Sequence, residues 1–266
     1  MNVEVDSLTD SIKLYRVGPI NYYLFSGEKN ILIETGFTCT SEKLLEEIEE
    51  DIDAVIVTHS HFDHIAGLSA ILEQYPDAEI GAHENVVPLL QKEKVVKSWH
   101  SDNTYFCKEE YGDLNLRVDT ALKEGDVFYG LEIFEFPGHA PDTIGIYLRK
   151  ENALIVTDCL GYFTSSGRIV PLFFYNYQQY LDSIEKISSF RPHILGVGHL
   201  RFFRGRECDL AIRNAYSEAV KLGEMIRSGM DDEELIDYFY VDELRLYPEQ
   251  TMKLSAGLLR RRVFES

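Results

Sequence analysis

Three histidines and one aspartate crowd into six positions of this chain, in the segment Thr58-His59-Ser60-His61-Phe62-Asp63-His64. A string of the form HxHxDH arises by chance in a chain of this length and composition with a probability on the order of 10⁻³ or less, so the crowding asks for a chemical reason. Metal ligation supplies one. His59 and His61 lie two apart just past the apolar run Ala54-Val55-Ile56-Val57, and extended backbone sends both side chains the same way. Asp63 and His64 sit at the mouth of the following helical pattern and can turn toward a second ion. Neutral imidazole and carboxylate form the ligand set of a hydrolytic Zn, Fe or Mn centre. The alternative is a hydrogen-bonded polar turn without metal, in which the crowded imidazoles would repel on protonation.

Three later residues fit the same chemistry. His139 lies in Phe136-Pro137-Gly138-His139-Ala140-Pro141-Asp142, Asp158 ends the apolar run Leu154-Ile155-Val156-Thr157, and His199 closes Gly196-Val197-Gly198-His199. Each is a ligand-type residue at the end of a strand-like run, and a layered fold gathers such ends along one sheet edge. Tyr162, four residues after Asp158, is a candidate hydrogen-bond donor to a substrate oxygen. Phe173, Phe174, Tyr175 and Tyr177 are candidates for an aromatic wall, with core burial as the competing reading. Arg201 and Arg204 are candidates for contact with an anionic substrate tail, set against ordinary surface pairing. Cys159 reads as structural, and His83, His100 and His193 carry no pattern.

The elements that must position these residues follow from periodicity. Asn21–Phe25 and Ile31–Ile33 around Gly27-Glu28-Lys29-Asn30 predict an antiparallel hairpin. Ser41 is a candidate cap for a helix carrying Leu44, Leu45 and Ile48. A strand over 54–57 leads through the polar turn into a helix marked by Ile65, Leu68, Ile71, Leu72 and Tyr75. Residues 85–122, with the single Trp99, read as a long irregular connection of the kind that serves as a lid or binding loop. Strand character returns over 131–136, 144–148, 153–156 and 194–197, with a helix through Tyr177, Tyr180, Leu181, Ile184 and Ile187. Beyond Gly205 the pattern is helical, and Arg260-Arg261-Arg262 suits the negative end of a helix dipole. The expected organisation is a metal-binding domain over 1–205 and a helical extension over 206–266 packed on it.

Composition sets the outer bounds. The 266 residues are 45% hydrophobic and carry a formal charge of −19, so the chain buries a core and repels polyphosphate backbones. Large nucleic acids are therefore excluded as the default partner. No apolar run approaches the ~20 residues of a membrane span, and the first residues lack the pattern of a secretory signal. The four cysteines show neither CxxC spacing nor the density of a disulfide scaffold. The expectation is a cytoplasmic protein with reduced thiols and a small-molecule substrate, with no membrane partner and with homo-oligomerisation left open.

The order HxHxDH, PGH, an Asp at a strand end and GxGH resembles the metallo-β-lactamase superfamily, in particular its glyoxalase II-like branch. Asn21-Tyr22-Tyr23-Leu24 and Leu32-Ile33-Glu34-Thr35-Gly36 are similar to early strands of that family, and the likeness runs over roughly residues 10 to 205. It implies an α/β fold, a four-layer αβ/βα sandwich with metals at one end and a C-terminal helical extension. By that resemblance His59, His61 and His139 hold one divalent ion, Asp63, His64 and His199 hold a second, and Asp158 bridges them; zinc is favoured, with iron or manganese as alternatives. Three positions depart from the family pattern: Glu34 stands where an Asp is usual, Thr157 where a Gly is usual, and Ala140 where a Thr is common.

Two ions about 3.5–4 Å apart can share a water and bring its pKa toward neutrality, which makes hydroxide available. Asp63 would orient it. The implied function is a metal-dependent hydrolase of a small thioester or ester. A lactonase, a small phosphodiesterase and an iron-dependent thiol dioxygenase share the ligand set, and a non-catalytic binding or regulatory module is the non-enzymatic alternative. Flavin/di-iron oxidoreductases are disfavoured because they resemble HxExD and carry a flavodoxin partner.

Overall fold

Strands buried on both faces read as unbroken apolar runs, and those with one wet face alternate. Both kinds occur in the computed structural model of this protein, which describes residues 1–265. Its internal contacts group into two units, Met1–Phe134 and Glu135–Ser266.

The first unit opens with strands β1 (Val3–Ser7), β2 (Ile12–Val17), β3 (Ile20–Ser26) and β4 (Asn30–Ile33), followed by helix α1 (Thr38–Leu45) and strand β5 (Ala54–Val57). Helices α2 (Phe62–Ile65) and α3 (Leu68–Gln74) lead to β6 (Glu79–His83), then α4 (Val87–Leu90), α5 (Glu93–Cys107) and β7 (Thr120–Leu122). Strands β8 (Val127–Phe128) and β9 (Leu131–Glu135) form a closing hairpin. β1 to β7 form one sheet in sequence order. The first four strands pair antiparallel, and β4 to β7 pair parallel. All four residues of β5 are fully buried, as a central parallel strand requires.

The second unit contains β10 (Ile144–Leu148), β11 (Ala153–Thr157), a 3₁₀ turn (Asp158–Leu160), and the small hairpin of β12 (Tyr162–Phe163) and β13 (Ile169–Val170). Helix α6 (Tyr177–Phe190), β14 (Ile194–Val197) and β15 (Phe202–Arg204) follow. Then come α7 (Arg206–Arg227), α8 (Asp232–Phe239), a second 3₁₀ turn (Asp242–Leu246) and α9 (Glu249–Glu265). β11 pairs antiparallel with β10 and parallel with β14, which pairs antiparallel with β15. α7 packs on α6, and α9 packs on α7 and α8. No helix among the described residues is long and apolar enough to cross a membrane.

Four expectations need correction. The 85–122 connection is not irregular throughout, since α5 gives it a fifteen-residue helix that buries Trp99. Ser41 does not cap α1: the helix begins three residues earlier, and the Ser41 hydroxyl donates to the Thr35 carbonyl. The helix expected over 65–75 is cut in two at Gly67, whose N–H reaches the Gly36 carbonyl at 2.9 Å. A Cβ at that position would run into the Thr35 carbonyl.

The fourth correction concerns the thiols. Cys39 and Cys107 form a disulfide with Cα atoms 5.7 Å apart, while Cys159 and Cys208 stay as buried thiols. The partners stand 68 positions apart, so only the packing of α5 against α1 brings them together, and spacing along the chain carries no trace of it. Phe37 and Phe106 stack beside the bridge with centroids 3.6 Å apart. The buried Asn103 accepts from the Thr38 N–H and donates to its hydroxyl.

Candidate metal centre

In the first unit the polar turn follows β5 directly. His61 leaves it on extended backbone, and α2 begins at Phe62, which puts Asp63 and His64 in a helical first turn. The three imidazoles cluster. His59 lies 4.8 Å from His61 and 4.1 Å from His64 between ring centroids. His59 and His64 are fully buried, Asp63 is buried and His61 is half-buried.

Glu34 organises this cluster from behind. It is fully buried at the end of β4 and takes a φ of +80°, a region that side-chain-bearing residues seldom occupy. One carboxylate oxygen accepts from His64 Nδ1 at 2.8 Å, and the other accepts from the Thr58 hydroxyl. Thr58 Oγ1 lies 3.1 Å from His59 Nδ1. A carboxylate only accepts, so His64 carries its proton on Nδ1. Thr58 gives its own proton to Glu34 and therefore accepts from His59 Nδ1. Both rings are thus fixed with the proton on Nδ1 and none on Nε2. One atom each of Glu34, His59 and His64 lies within 4.8 Å of the others; with both Glu34 oxygens engaged on the Nδ1 side, its geometry suits orientation of the rings. Thr58 gave no signal in the sequence, since a threonine at a strand end is ordinary.

In the second unit three separate strand ends contribute. His139 follows β9 in a loop shaped by Gly138, whose φ is +122° and where a Cβ would strike the Tyr180 backbone. The Gly138 carbonyl accepts from the N–H groups of Tyr175 and Asn176, and Asn176 caps α6 by accepting from Gln179 N–H at 2.8 Å. His139 Nδ1 donates to the Leu172 carbonyl at 2.7 Å, which again puts the ring proton on Nδ1. The Leu172 N–H points at the Tyr180 hydroxyl, a phenol that burial pushes well above its ordinary value and so keeps protonated.

Asp158 starts the 3₁₀ turn after β11. The β11–β14 register slips between Ile155 and Thr157, and Thr157 takes a φ of +45°. A bulge at a strand end re-aims the next side chain. Here that side chain is Asp158, with His139 Nε2 3.5 Å and His199 Nε2 3.2 Å from its two oxygens. His139, Asp158 and His199 are all buried.

The other candidates fall into different settings. Tyr162 is buried and stacks on His199 with centroids 4.5 Å apart and planes 20° off parallel. Phe174 packs against His139 at 5.4 Å. Tyr177 points its hydroxyl at the Ala219 carbonyl of α7, 3.4 Å away, and lies under Arg227, which places it among the helices of the second unit. Phe173 is fully buried and Tyr175 is exposed. Arg201 donates to the carbonyls of Thr164 and Ser165, and Arg204 lies over the Phe202 ring. Cys159 is buried. His83 Nδ1 accepts from the Asn85 N–H, and His100 Nε2 lies 3.0 Å from the Tyr111 carbonyl.

The donor set fits a divalent metal. Three imidazoles have their Nδ1 atoms turned into the protein and their Nε2 atoms turned the other way, and carboxylates stand next to them in both units. This is how imidazole ligands are held at metal sites.

A sequence profile of the metallo-beta-lactamase superfamily matches residues 15–199. The probable metallo-hydrolase MJ0888 of Methanocaldococcus jannaschii is 34% identical over 149 residues, covering 53% of this chain and 66% of that protein. A hydroxyacylglutathione hydrolase of Francisella philomiragia is 28% identical over 192 residues, covering 71% and 63%. The matched stretch thus spans under two thirds of either relative's own length. Among solved structures, the metallo-beta-lactamase family protein TTHA1429 of Thermus thermophilus aligns with a TM-score of 0.68 at 16% identity, over 96% of this chain and 94% of its own. That likeness shows the fold.

Proposed function

Because this chain belongs to the metallo-beta-lactamase superfamily, we propose that its two buried ligand sets serve one dinuclear centre in a hydrolase of small thioesters or esters. His59, His61 and His139 would hold one cation and Asp63, His64 and His199 the other, with Asp158 available to both. Zinc is the ion that this imidazole-rich set favours, with iron or manganese as the competing assignments. Divalent cations held there would bring the pKa of a bound water down toward neutrality and polarise a carbonyl oxygen.

The chain's own residues do the rest. Asp63, buried beside His64, orients the attacking water through its carboxylate and takes up its proton. Glu34 and Thr58 keep His59 and His64 in the Nδ1–H form, and the Leu172 carbonyl does the same for His139. Tyr162 stands beside His199, where a phenol can donate to the substrate oxygen. The observation that carries the reading is this shared orientation: His59, His64 and His139 each turn Nδ1 into the protein. The thioester preference is supported by the similarity to a hydroxyacylglutathione hydrolase. The −19 charge disfavours a long nucleic acid.

The test is elemental analysis of the purified protein together with a panel of thioester, ester, lactone and phosphodiester substrates. Two equivalents of metal and a thioester or ester rate well above the others support the reading. Dominant lactone or phosphodiester turnover reassigns the substrate. Metal bound with every rate at background makes the chain a binding module.

A further inference from the structure

We propose that the C-terminal segment from Phe239 to Tyr247 is a positioning element for the imidazoles of the second unit, holding the rings of His139 and His199 through two aromatic relays. This rests on the metal-centre reading above and adds a role for a region that the family match, ending at residue 199, does not reach.

The relays are parallel in construction. His199 stacks on Tyr162, and Tyr247 meets Tyr162 edge-on, with centroids 6.5 Å apart and planes at 88°. His139 packs on Phe174, and Phe239 meets Phe174 edge-on at 5.8 Å and 84°. Edge-to-face contact at such distances is the favoured geometry of aromatic pairs. Both outer rings come from one short stretch, at the end of α8 and just past the second 3₁₀ turn. Phe239, Tyr247 and Tyr162 are all buried. A metal ligand needs its ring plane fixed as well as its tautomer, and a flat neighbour wedged from behind does that.

The segment is built to stay put. The Tyr240 hydroxyl lies 3.3 Å from the Arg245 carbonyl and 3.2 Å from that of Tyr247, and Arg245 Nε returns a bond to the Tyr240 carbonyl. Leu244 is buried at the centre of the turn. The same stretch grips the β12–β13 hairpin that begins with Tyr162. Asp242 accepts from the Ser166 hydroxyl at 2.6 Å, Glu243 accepts from the Ser165 N–H, and the Tyr238 carbonyl accepts from Arg168. Arg262 of α9 donates to the Phe174 carbonyl at 2.9 Å. Hairpin tip, Tyr162 and Phe174 are therefore all tied to the C-terminal region.

Ordinary core packing is the competing explanation, and it predicts a different result. Loss of core packing lowers the unfolding temperature and leaves the metal affinity of the folded protein alone; loss of a positioning element weakens the metal itself. The full-length protein, stripped of metal, is titrated with Co²⁺ while its visible ligand-field bands are followed. Tyr247→Ala is compared with Tyr247→Phe and with the paired change Ser166→Ala and Glu243→Ala, which removes one donor and one acceptor at the hairpin tip without touching the core. We expect Tyr247→Ala to weaken one Co²⁺ equivalent by about 10- to 100-fold and to alter its bands. Tyr247→Phe restores both, and the paired change gives a smaller loss in the same direction.

Wild-type affinity for both equivalents in folded Tyr247→Ala overturns the proposal. If that variant does not fold, wild-type affinity and bands in the paired variant overturn it equally. A wild-type protein that takes up no Co²⁺ brings down the metal-centre reading and this proposal together, so the two failures are told apart by reading the wild type first.

Discussion

The two units hold their imidazoles by different means. In the first, three histidines share six consecutive positions, and a polar relay from His59 through Thr58 to Glu34, and from His64 directly to Glu34, fixes two of them. In the second, His139 and His199 arrive from separate strand ends, steadied by a backbone carbonyl and by packed aromatic rings. A buried carboxylate relay fixes the proton on each ring and fails when one partner is changed, because the others are left buried without an acceptor. Ring packing fixes the plane and degrades gradually as shape is lost. Both units also bend residues other than glycine into positive φ beside a ligand: Glu34 in the first, and Thr157 and Leu200 in the second.

The largest effect tests what the two devices have in common. Exhaustive chelation should drop hydrolysis of the best thioester or ester to background, and Zn²⁺ should restore it. Turnover that survives chelation unchanged would mean that neither device serves a metal. The disulfide comes next and belongs to the first unit alone. Replacing both Cys39 and Cys107 by Ser frees a long loop of the unfolded chain, and stability should fall by about 2–4 kcal/mol. The check is denaturant unfolding of the double variant against wild type under oxidising conditions. No loss there would show that the Phe37–Phe106 stack and the Asn103–Thr38 bonds already hold α5 in place.

Glu34→Gln then strikes the relay itself. The amide keeps the shape but replaces one acceptor oxygen with a donor, so it must oppose either the Thr58 hydroxyl or the His64 Nδ1–H. Metal affinity measured by chelator competition should fall by about 10- to 100-fold. Glu34→Asp keeps the charge, falls short by one methylene, and should lie between. An unchanged affinity in the Gln variant would mean that the imidazoles of the first unit, like those of the second, are held mainly by packing.

This contrast also explains what could be read along the chain. The turn at 59–64 stood out because its ligands are adjacent and follow an apolar strand, and both signals are local. His139, Asp158 and His199 were legible as ligand types at strand ends. The strands themselves were legible because buried strands such as β5 and β11 are apolar throughout or up to their last residue. What holds the second set was not legible: Tyr247 and Phe239 reach Tyr162 and Phe174 only through tertiary packing, and each alone is an unremarkable aromatic in a helical tail. The Cys39–Cys107 bridge was hidden for the same reason. Helix α5 was hidden because Glu93–Cys107 mixes charged, polar and aromatic residues without a strong apolar stripe. Tyr177 shows the converse, since its place at the start of α6 suggested a wall above the metals, while its hydroxyl is engaged with α7.

The smallest effect isolates backbone from side chain at Thr157. Ordinarily Ala is favoured over Gly in regular structure, by roughly 0.5–1 kcal/mol, because glycine has more freedom to lose on folding. At a φ of +45° and a ψ of −116° the order should reverse. Any Cβ there is strained, and such strain is on the order of 1–3 kcal/mol. Thr157→Gly and Thr157→Ala both delete the buried hydroxyl and methyl, so the cavity left behind nearly cancels between them. The glycine variant should therefore be the more stable of the two, by about 1–2 kcal/mol, as read from unfolding midpoints. An alanine variant that matches or exceeds it would mean that Asp158 is aimed without backbone strain. Glu34, at +80° and doubly bonded, would then remain as a ligand-side residue that the fold holds against its own preference.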